Sequence, residues 1–433
     1  MFQHNGLQRG ERGVLTIAML AAITAVVLGA SNRRPAEPPP RVVTIGGIFP
    51  LTGAGTSFGQ KARAAMELAI EDVNRELGHN ALGLRFAVRV EDGRFDPAVA
   101  LGRARALRAA GIRLVIGPTS SAEVAALEPY VGANDMLLVS PSSTAGSLAI
   151  PGDNVFRFAP SDSLEAVAIT TMMWDDSVRA IVPIWHDDPS GNDLVKAVRS
   201  RITGLGGAVL QGVRYGAAPD FETIAPALRA QVDEAIARSG REKVGVYYTG
   251  FEEVVGLFTA ASTDPVLGSI PWYGSDAGVM PDQLLAAPTA ARFASRVGYP
   301  NPIASLEEGT RDHWQPILER IQARTAIQTT GFDVYALAVY DAVWVAAKAY
   351  LTAGPTAGIA DLKQAFTTAA ATNIGATGWT VLNAAGDRKY GDFDFWAMRD
   401  VNGALRWTRI ALYQTRTQKL VRFGERAGIV SSR

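Results

Sequence analysis

Apolar positions along this chain fall alternately into short continuous runs and helix-spaced stripes. Val42 to Phe49 (VVTIGGIF) is a run suited to a buried strand, and Leu51 to Gly59 (LTGAGTSFG) is its loop. From Ala62 to Leu77 apolar residues recur at Ala65, Leu68, Ala69, Val73 and Leu77, the spacing of one helix face. Leu84 to Val90 alternates apolar and polar residues and ends in Glu91-Asp92-Gly93; Pro97 then opens a helix that stops at Gly111. Two units of one form follow. Leu114-Val115-Ile116 breaks at Gly117-Pro118, exposes Thr119-Ser120-Ser121 and enters the helical AEVAALEPYV, while Leu137-Leu138-Val139 breaks at Ser140-Pro141 and exposes Ser142-Ser143-Thr144. Strand, loop and helix thus recur four times before residue 150, which predicts a parallel sheet with helices on both faces.

After Pro151-Gly152-Asp153 the segment VFRFAPSDS reads as a crossing, and the alternation restarts. Helices are predicted over Leu164 to Trp174, Asp193 to Leu205, Ile224 to Ala237 and Glu253 to Ala261. The strands between and after them are Ala180 to Trp185, Ala208 to Arg214, Val244 to Tyr248 and Ile270 to Tyr273. Two doubly wound sheets in succession imply two lobes with a cleft between them. Gly278 to Arg311, with Pro281, Pro288, Pro300 and Pro302, gives no regular pattern. Helical patterning returns from Trp314. Thr330 to Leu351 is then a long helix apolar on most sides, suited to an interior, and Ile359 to Thr368 is another. Phe393 to Val401 and Leu405 to Tyr413 read as a hairpin around Asn402-Gly403, and residues after Gln414 as a mobile end.

Composition narrows the function. The 433 residues suffice for two lobes, each with its own core. Lys plus Arg equals Asp plus Glu at 42 each, so no net field draws nucleic acid. Cysteine is absent, which removes disulfides, thiolate metal sites and cysteine nucleophiles together. Arg9 and Arg12 precede the apolar stretch Val14 to Gly29, and Gly29-Ala30-Ser31 are small. Residues 1–31 therefore read as an export signal, cleaved or retained as an anchor, and the proline-rich 32–41 as a tether. Ser31 stands where a lipid-bearing cysteine would be needed, so no lipid attachment site is expected.

The two hydroxyl-rich turns carry the candidate chemistry. At the C-terminal edge of adjacent parallel strands, helix N-termini point free N–H groups and positive dipole ends into the crevice, a receptor for a carboxylate. Ser121 and Thr144 are also the residue types that cap helices. Gly53-Ala54-Gly55-Thr56-Ser57-Phe58-Gly59 is one residue longer than the dinucleotide fingerprint, and the next strand-end acid, Glu91, lies too far along. His186-Asp187-Asp188 has the look of a polar loop rather than a metal site, so neither metal nor other cofactor is expected. With four histidines, no G-x-S-x-G elbow and no ordered Ser, Asp and His set, an enzyme is not expected.

Eight segments in order, IGGIFPLTGAGTSFGQKARAAMELAIEDVN, EDGRFDPAVALGRARAL, VIGPTSSAEVAAL, LVSPSST, VFRFAPSD, VYYTGF, WYGSD and DVYALAVYDAVWVAAKA, resemble the type I periplasmic binding proteins. Within these they resemble the branched-chain amino-acid (Leu/Ile/Val) family that feeds ABC importers, over about Val42 to Tyr413. The resemblance implies an α/β fold of two doubly wound parallel-sheet lobes joined by a hinge of several crossings: 42–158 plus 330–379, and 159–329 plus 380–415, with 416–433 a mobile tail. It implies a monomeric, extracytoplasmic receptor that captures a small amino acid or related carboxylate and delivers it to an ABC permease. The alternative is a membrane-anchored sensing domain of the same fold. The ligand's α-carboxylate falls to Ser121, Ser142, Ser143 and Thr144, its ammonium to Asp276, and its side chain to Phe58 and Phe251, with Tyr247 and Tyr335 as lesser candidates. One departure stands out: Ser190-Gly191 replaces a family Tyr-Gly pair, which enlarges or rewets the pocket.

Overall fold

The computed structural model describes Met1 and residues 41 to 423, apart from 79, 81, 279–281, 307 and 326–333. Residues 2–40, all of the expected export segment and tether but Met1 and Arg41, and residues 424–433 of the expected tail lie outside the described residues.

The first sheet is built from β1 (Arg41–Phe49), β2 (Leu84–Asp92), β3 (Leu114–Ile116), β4 (Leu137–Ser140) and β5 (Val155–Pro160). Asp387–Arg388, from the stretch expected in the second lobe, joins at its edge beside β5. In order across the sheet β5, β4, β3, β1 and β2 follow, and the β1–β3, β3–β4 and β4–β5 pairings are parallel. Helices cover both faces, which is why VVTIGGIF is apolar at every position but Thr44 instead of alternating. On one face lie α1 (Thr56–Glu76) and, later in the chain, Val334–Ala353 and Ile359–Thr372; on the other lie α2 (Pro97–Ala109) and α3 (Ser121–Ala133). Val334–Ala353 is the long interior helix the pattern predicts, buried against Ile45, Leu68, Leu114 and Leu137. Trp314, Ile317 and Ile321 of Arg311–Gln322 belong to the same core, although their stretch was expected in the second lobe.

After β5 come α4 (Asp162–Asp175), β6 (Ala180–His186), α5 (Pro189–Gly204), β7 (Ala208–Val209), β8 (Val213–Tyr215), α6 (Phe221–Ser239), β9 (Val244–Thr249), α7 (Val254–Ala261) and β10 (Trp272–Tyr273). Their strands make a second parallel sheet in the order β10, β9, β6, β7, with β8 also on β6. The expected single strand Ala208 to Arg214 is split because Gly212 takes φ 82° between its two pieces.

Several other boundaries differ for readable reasons. Helix α1 starts six residues before Ala62, immediately after Gly55 at φ 71°, so Phe58 lies in a first helical turn whose polar residues give no apolar period. The second hydroxyl turn enters only a 3-10 turn, Gly146–Leu148, because Pro151 follows too soon for a helix. Gly278 to Arg311 is more regular than its prolines suggested. Pro288 opens the helix Pro288–Val297, and Pro302 lies in the edge strand Asn301–Ala304, where a missing N–H is tolerated. That strand pairs with Phe393–Val401 in a third, antiparallel sheet. The hairpin to Ala404–Gln414 turns at Asn402 (φ 56°) and Gly403 (φ 83°), the conformation an Asn-Gly pair favours. The stretch just past Gln414 is not a loose end: Lys419–Arg422 pairs back onto Ala411 to Gln414.

Asp153, in the loop before β5, shows how burial sets a pH window. Burial is the main cause that pushes its carboxyl up to about 6, with Val155 N–H opposing. The folded carboxyl therefore holds its proton through a range where the unfolded one has lost it, and stability falls as pH rises from about 4 to 6. Asp153→Asn removes that fall. It is expected to stabilise the protein by about 1–2 kcal/mol at pH 8, allowing for solvent screening, and to match the parent near pH 4, as read by urea denaturation at both pH values.

Candidate functional site

The two hydroxyl turns lie side by side because β3 and β4 are parallel neighbours in register, Ile116 opposite Val139. At the turn after β3 the chain approaches β1 so closely that a Cβ on Gly117 (φ 92°) would meet the Ile48 carbonyl oxygen at 2.1 Å. The cap of α3 is Ser120, in a reciprocal box with Glu123: Ser120 Oγ accepts from Glu123 N–H at 3.2 Å, and Glu123 Oε2 accepts from Ser120 N–H at 3.1 Å. Ser121 is thereby released from capping. Its Oγ lies 3.0 Å from Ser143 Oγ and accepts long bonds from Thr144 N–H and Ala145 N–H, both 3.3 Å. Thr144 caps nothing either, since the 3-10 turn after it begins from Ala145 without a side-chain bond.

The remaining hydroxyls tie the turns together. Ser142 Oγ donates to the Thr119 carbonyl at 2.8 Å, and Ser140 Oγ donates to the Pro118 carbonyl at 2.7 Å. Ser121, Ser143 and Thr144 are buried, so the result is a fixed set of hydroxyls and amides at the N-terminus of α3, with the polarity to hold an anion. Of the four expected residues, three converge here, and Ser142 serves as the tie between the loops.

Asp276 follows β10 and is held by two elements. Tyr335, on Val334–Ala353, donates its hydroxyl to Asp276 Oδ2 at 2.7 Å, and Asp276 N–H donates to Glu165 Oε1 at 3.1 Å. Glu165 and Asp162 occupy the first turn of α4, and Asp162 N–H donates to the Thr144 carbonyl at 3.0 Å. One helical turn thus bridges the hydroxyl turns and Asp276. Burial, with Asp276 nearby, pushes the Asp162 and Glu165 carboxyls well above the usual range; burial likewise raises Asp276 against the opposing Tyr335 bond. Sequence reasoning passed over Asp162 and Glu165. Their signal was two acids three apart just after Pro160-Ser161, hence on one helix face at the crossing.

The aromatic candidates separate into two groups. Phe58 packs edge-on against Tyr335, ring centroids 6.2 Å apart, and so lines the Asp276 end. Phe251 meets Phe95 at 5.5 Å and His186 at 5.8 Å, a second group reached from the loop after β2. The Asp188 carboxylate, 3.9 Å from His186 Nδ1, raises that imidazole. Ser190 lies in the first turn of α5, where Asp188 accepts from Gly191 N–H at 2.7 Å. Among the described residues no group of His, Cys, Asp or Glu is placed to hold a metal ion.

A family model described as periplasmic binding protein matches residues 42–389. The chain is 26% identical over 396 residues to the uncharacterized protein MJ1266 of Methanocaldococcus jannaschii, covering 88% of this chain and 91% of that one. It is 25% identical over 279 residues to the Leu/Ile/Val-binding protein BraC3 of Rhizobium johnstonii, covering 58% of this chain and 72% of the relative. A leucine binding protein from Thermotoga maritima superposes with a TM-score of 0.68 at 18% identity, covering 88% of this chain and 99% of that structure. The matched span, with its two parallel sheets and the turns at their edges, makes the chain a member of the periplasmic binding protein family with the type I fold, a solute-binding family rather than an enzyme family.

Proposed function

We propose that the chain is an exported solute receptor. A lobe built on the first sheet and a lobe built on the second close on a small amino acid or related carboxylate and present it to an ABC permease. The observation that carries this reading is the first turn of α4, which bonds to Thr144 on one side and to Asp276 on the other. A ligand lying along that turn finds amides and hydroxyls for its carboxylate at one end and an acid for its ammonium at the other. Closure needs no chemistry, because a ligand with greater affinity for the closed form shifts the equilibrium toward it. The similarity to a Leu/Ile/Val-binding protein supports an amino acid as the ligand class.

Calorimetric titration with amino acids, short amides and aromatic acids tests the reading. Saturable binding of at least one amino acid is expected, and Ser121→Ala is expected to weaken it about 10- to 100-fold through loss of a hydrogen bond to a charged group. No binding by any of them, with Ser121→Ala and Asp276→Ala indistinguishable from the parent, would overturn it.

A further inference from the structure

Three carboxyls meet at the ammonium end of the site, and one ammonium balances only one of them. Asp162 and Glu165, each 1% exposed, lie on one face of α4. Asp276, which follows β10, lies against them and donates its N–H to Glu165 Oε1 at 3.1 Å. Three carboxyls brought together away from water cannot all be ionised without a counter-charge, so at least one of them carries a proton.

The group is also short of donors. Among the described residues neither oxygen of Asp162 has a well-formed hydrogen bond, the Thr144 hydroxyl standing beside it without the geometry for one. The fully buried phenol of Tyr247, set among Glu165, Asp162 and Asp276, has no partner either. The second phenol, Tyr335, is already committed to Asp276. The charged groups acting on Asp162 are Asp276, Arg157 and Asp193, and those acting on Glu165 are Asp276 and Asp162. Arg157, the one cation among these, is engaged by Asp387 at 2.5 Å.

We propose that Asp162, Glu165 and Asp276 together receive the ligand's ammonium, Glu165 being a ligand-binding residue in its own right, and that a proton held on Glu165 beside Asp276 leaves as the ammonium enters. This rests on the amino-acid reading above. One O–H bond breaks and one forms: the carboxyl proton passes to solvent water, and the ammonium N–H groups take its place as donors. Tyr247 O–H remains to donate into the group. Such a site selects for a protonated amine, because a carboxylate lacking one leaves three crowded acids without a counter-charge.

The test titrates the full exported protein with each of the twenty standard L-amino acids. The tightest is then compared with its des-amino acid in buffers of different ionisation heat. About one proton released per ligand is expected at pH 7, with affinity rising up to about tenfold per pH unit while the acid pair titrates. The des-amino acid is expected to bind at least about 100-fold more weakly. Glu165→Gln, nearly isosteric, should abolish the proton release and weaken binding about tenfold or more. Binding with no proton release, or a Glu165→Gln variant that folds and still releases the proton, overturns the proposal and leaves the amino-acid reading standing. If no amino acid binds, that reading itself falls. Should Glu165→Gln fail to fold, the parent's proton count and the des-amino comparison decide.

Discussion

Asp276→Ala is expected to weaken amino-acid binding about 30-fold or more, measured by calorimetry against the parent. The magnitude follows from truncating one partner of a desolvated charge pair, which costs about 2–5 kcal/mol. Two features place Asp276 in that range. The Tyr335 hydroxyl fixes its carboxylate at 2.7 Å, so little ordering is left to be lost on binding. Its backbone N–H is anchored on Glu165, which ties the position of the acid to the same helical turn that bonds Thr144. The fold should not suffer, because removing one of three neighbouring carboxyls relieves repulsion; a thermal midpoint equal to or above the parent's is expected. Asp276→Asn keeps an acceptor for Tyr335 and should lose nearly as much affinity, since charge rather than shape holds an ammonium. A variant that binds within threefold of the parent would remove Asp276 from the site.

Arg157→Ala is expected to cost about 3–5 kcal/mol of stability, the usual result of stripping one partner from a buried ion pair. Arg157 is 1% exposed on β5. Its Nε donates to Asp387 Oδ1 at 2.5 Å, and its Nη1 donates to the Ala145 carbonyl at 2.5 Å. The guanidinium therefore clamps the edge strand Asp387–Arg388 to β5 and pins the residue that follows Thr144. Guanidinium-chloride denaturation reads the loss. Arg157→Ala combined with Asp387→Ala should cost less than the two single changes added together, because the second removes the charge the first leaves stranded. Strictly additive costs would show that the pair contributes nothing as a pair. The single change should also weaken amino-acid binding, as the Thr144 turn loses its tether.

How much of this was legible depended on whether a residue's role shows in local pattern. VVTIGGIF and the two hydroxyl turns were readable because a strand buried on both faces is apolar throughout and ends at Gly or Pro. Ser121, Ser143 and Thr144 do converge, yet only the fold reveals that Ser120 takes the cap and frees Ser121 for its neighbours. The start of α1 at Thr56 was hidden because its first turn, TSFG, carries no apolar period. Lys419–Arg422 looked like loose tail because a four-residue edge strand declares itself only through its partner. Asp162 and Glu165 were missed for a related reason. Acids in a first helical turn ordinarily favour the helix dipole, and nothing local says that a third carboxyl, more than 100 residues on, is brought against them.

The proposed orientation of the ligand puts its carboxylate on the turns after β3 and β4 and its ammonium on the acids. A crystal structure of the protein with its tightest-binding amino acid tests it most directly. The expected result places the carboxylate oxygens about 3 Å from the Thr144 and Ala145 amides and the Ser143 hydroxyl, with the ammonium about 3 Å from Asp276. A ligand held the other way round, or bound away from these residues, would contradict it.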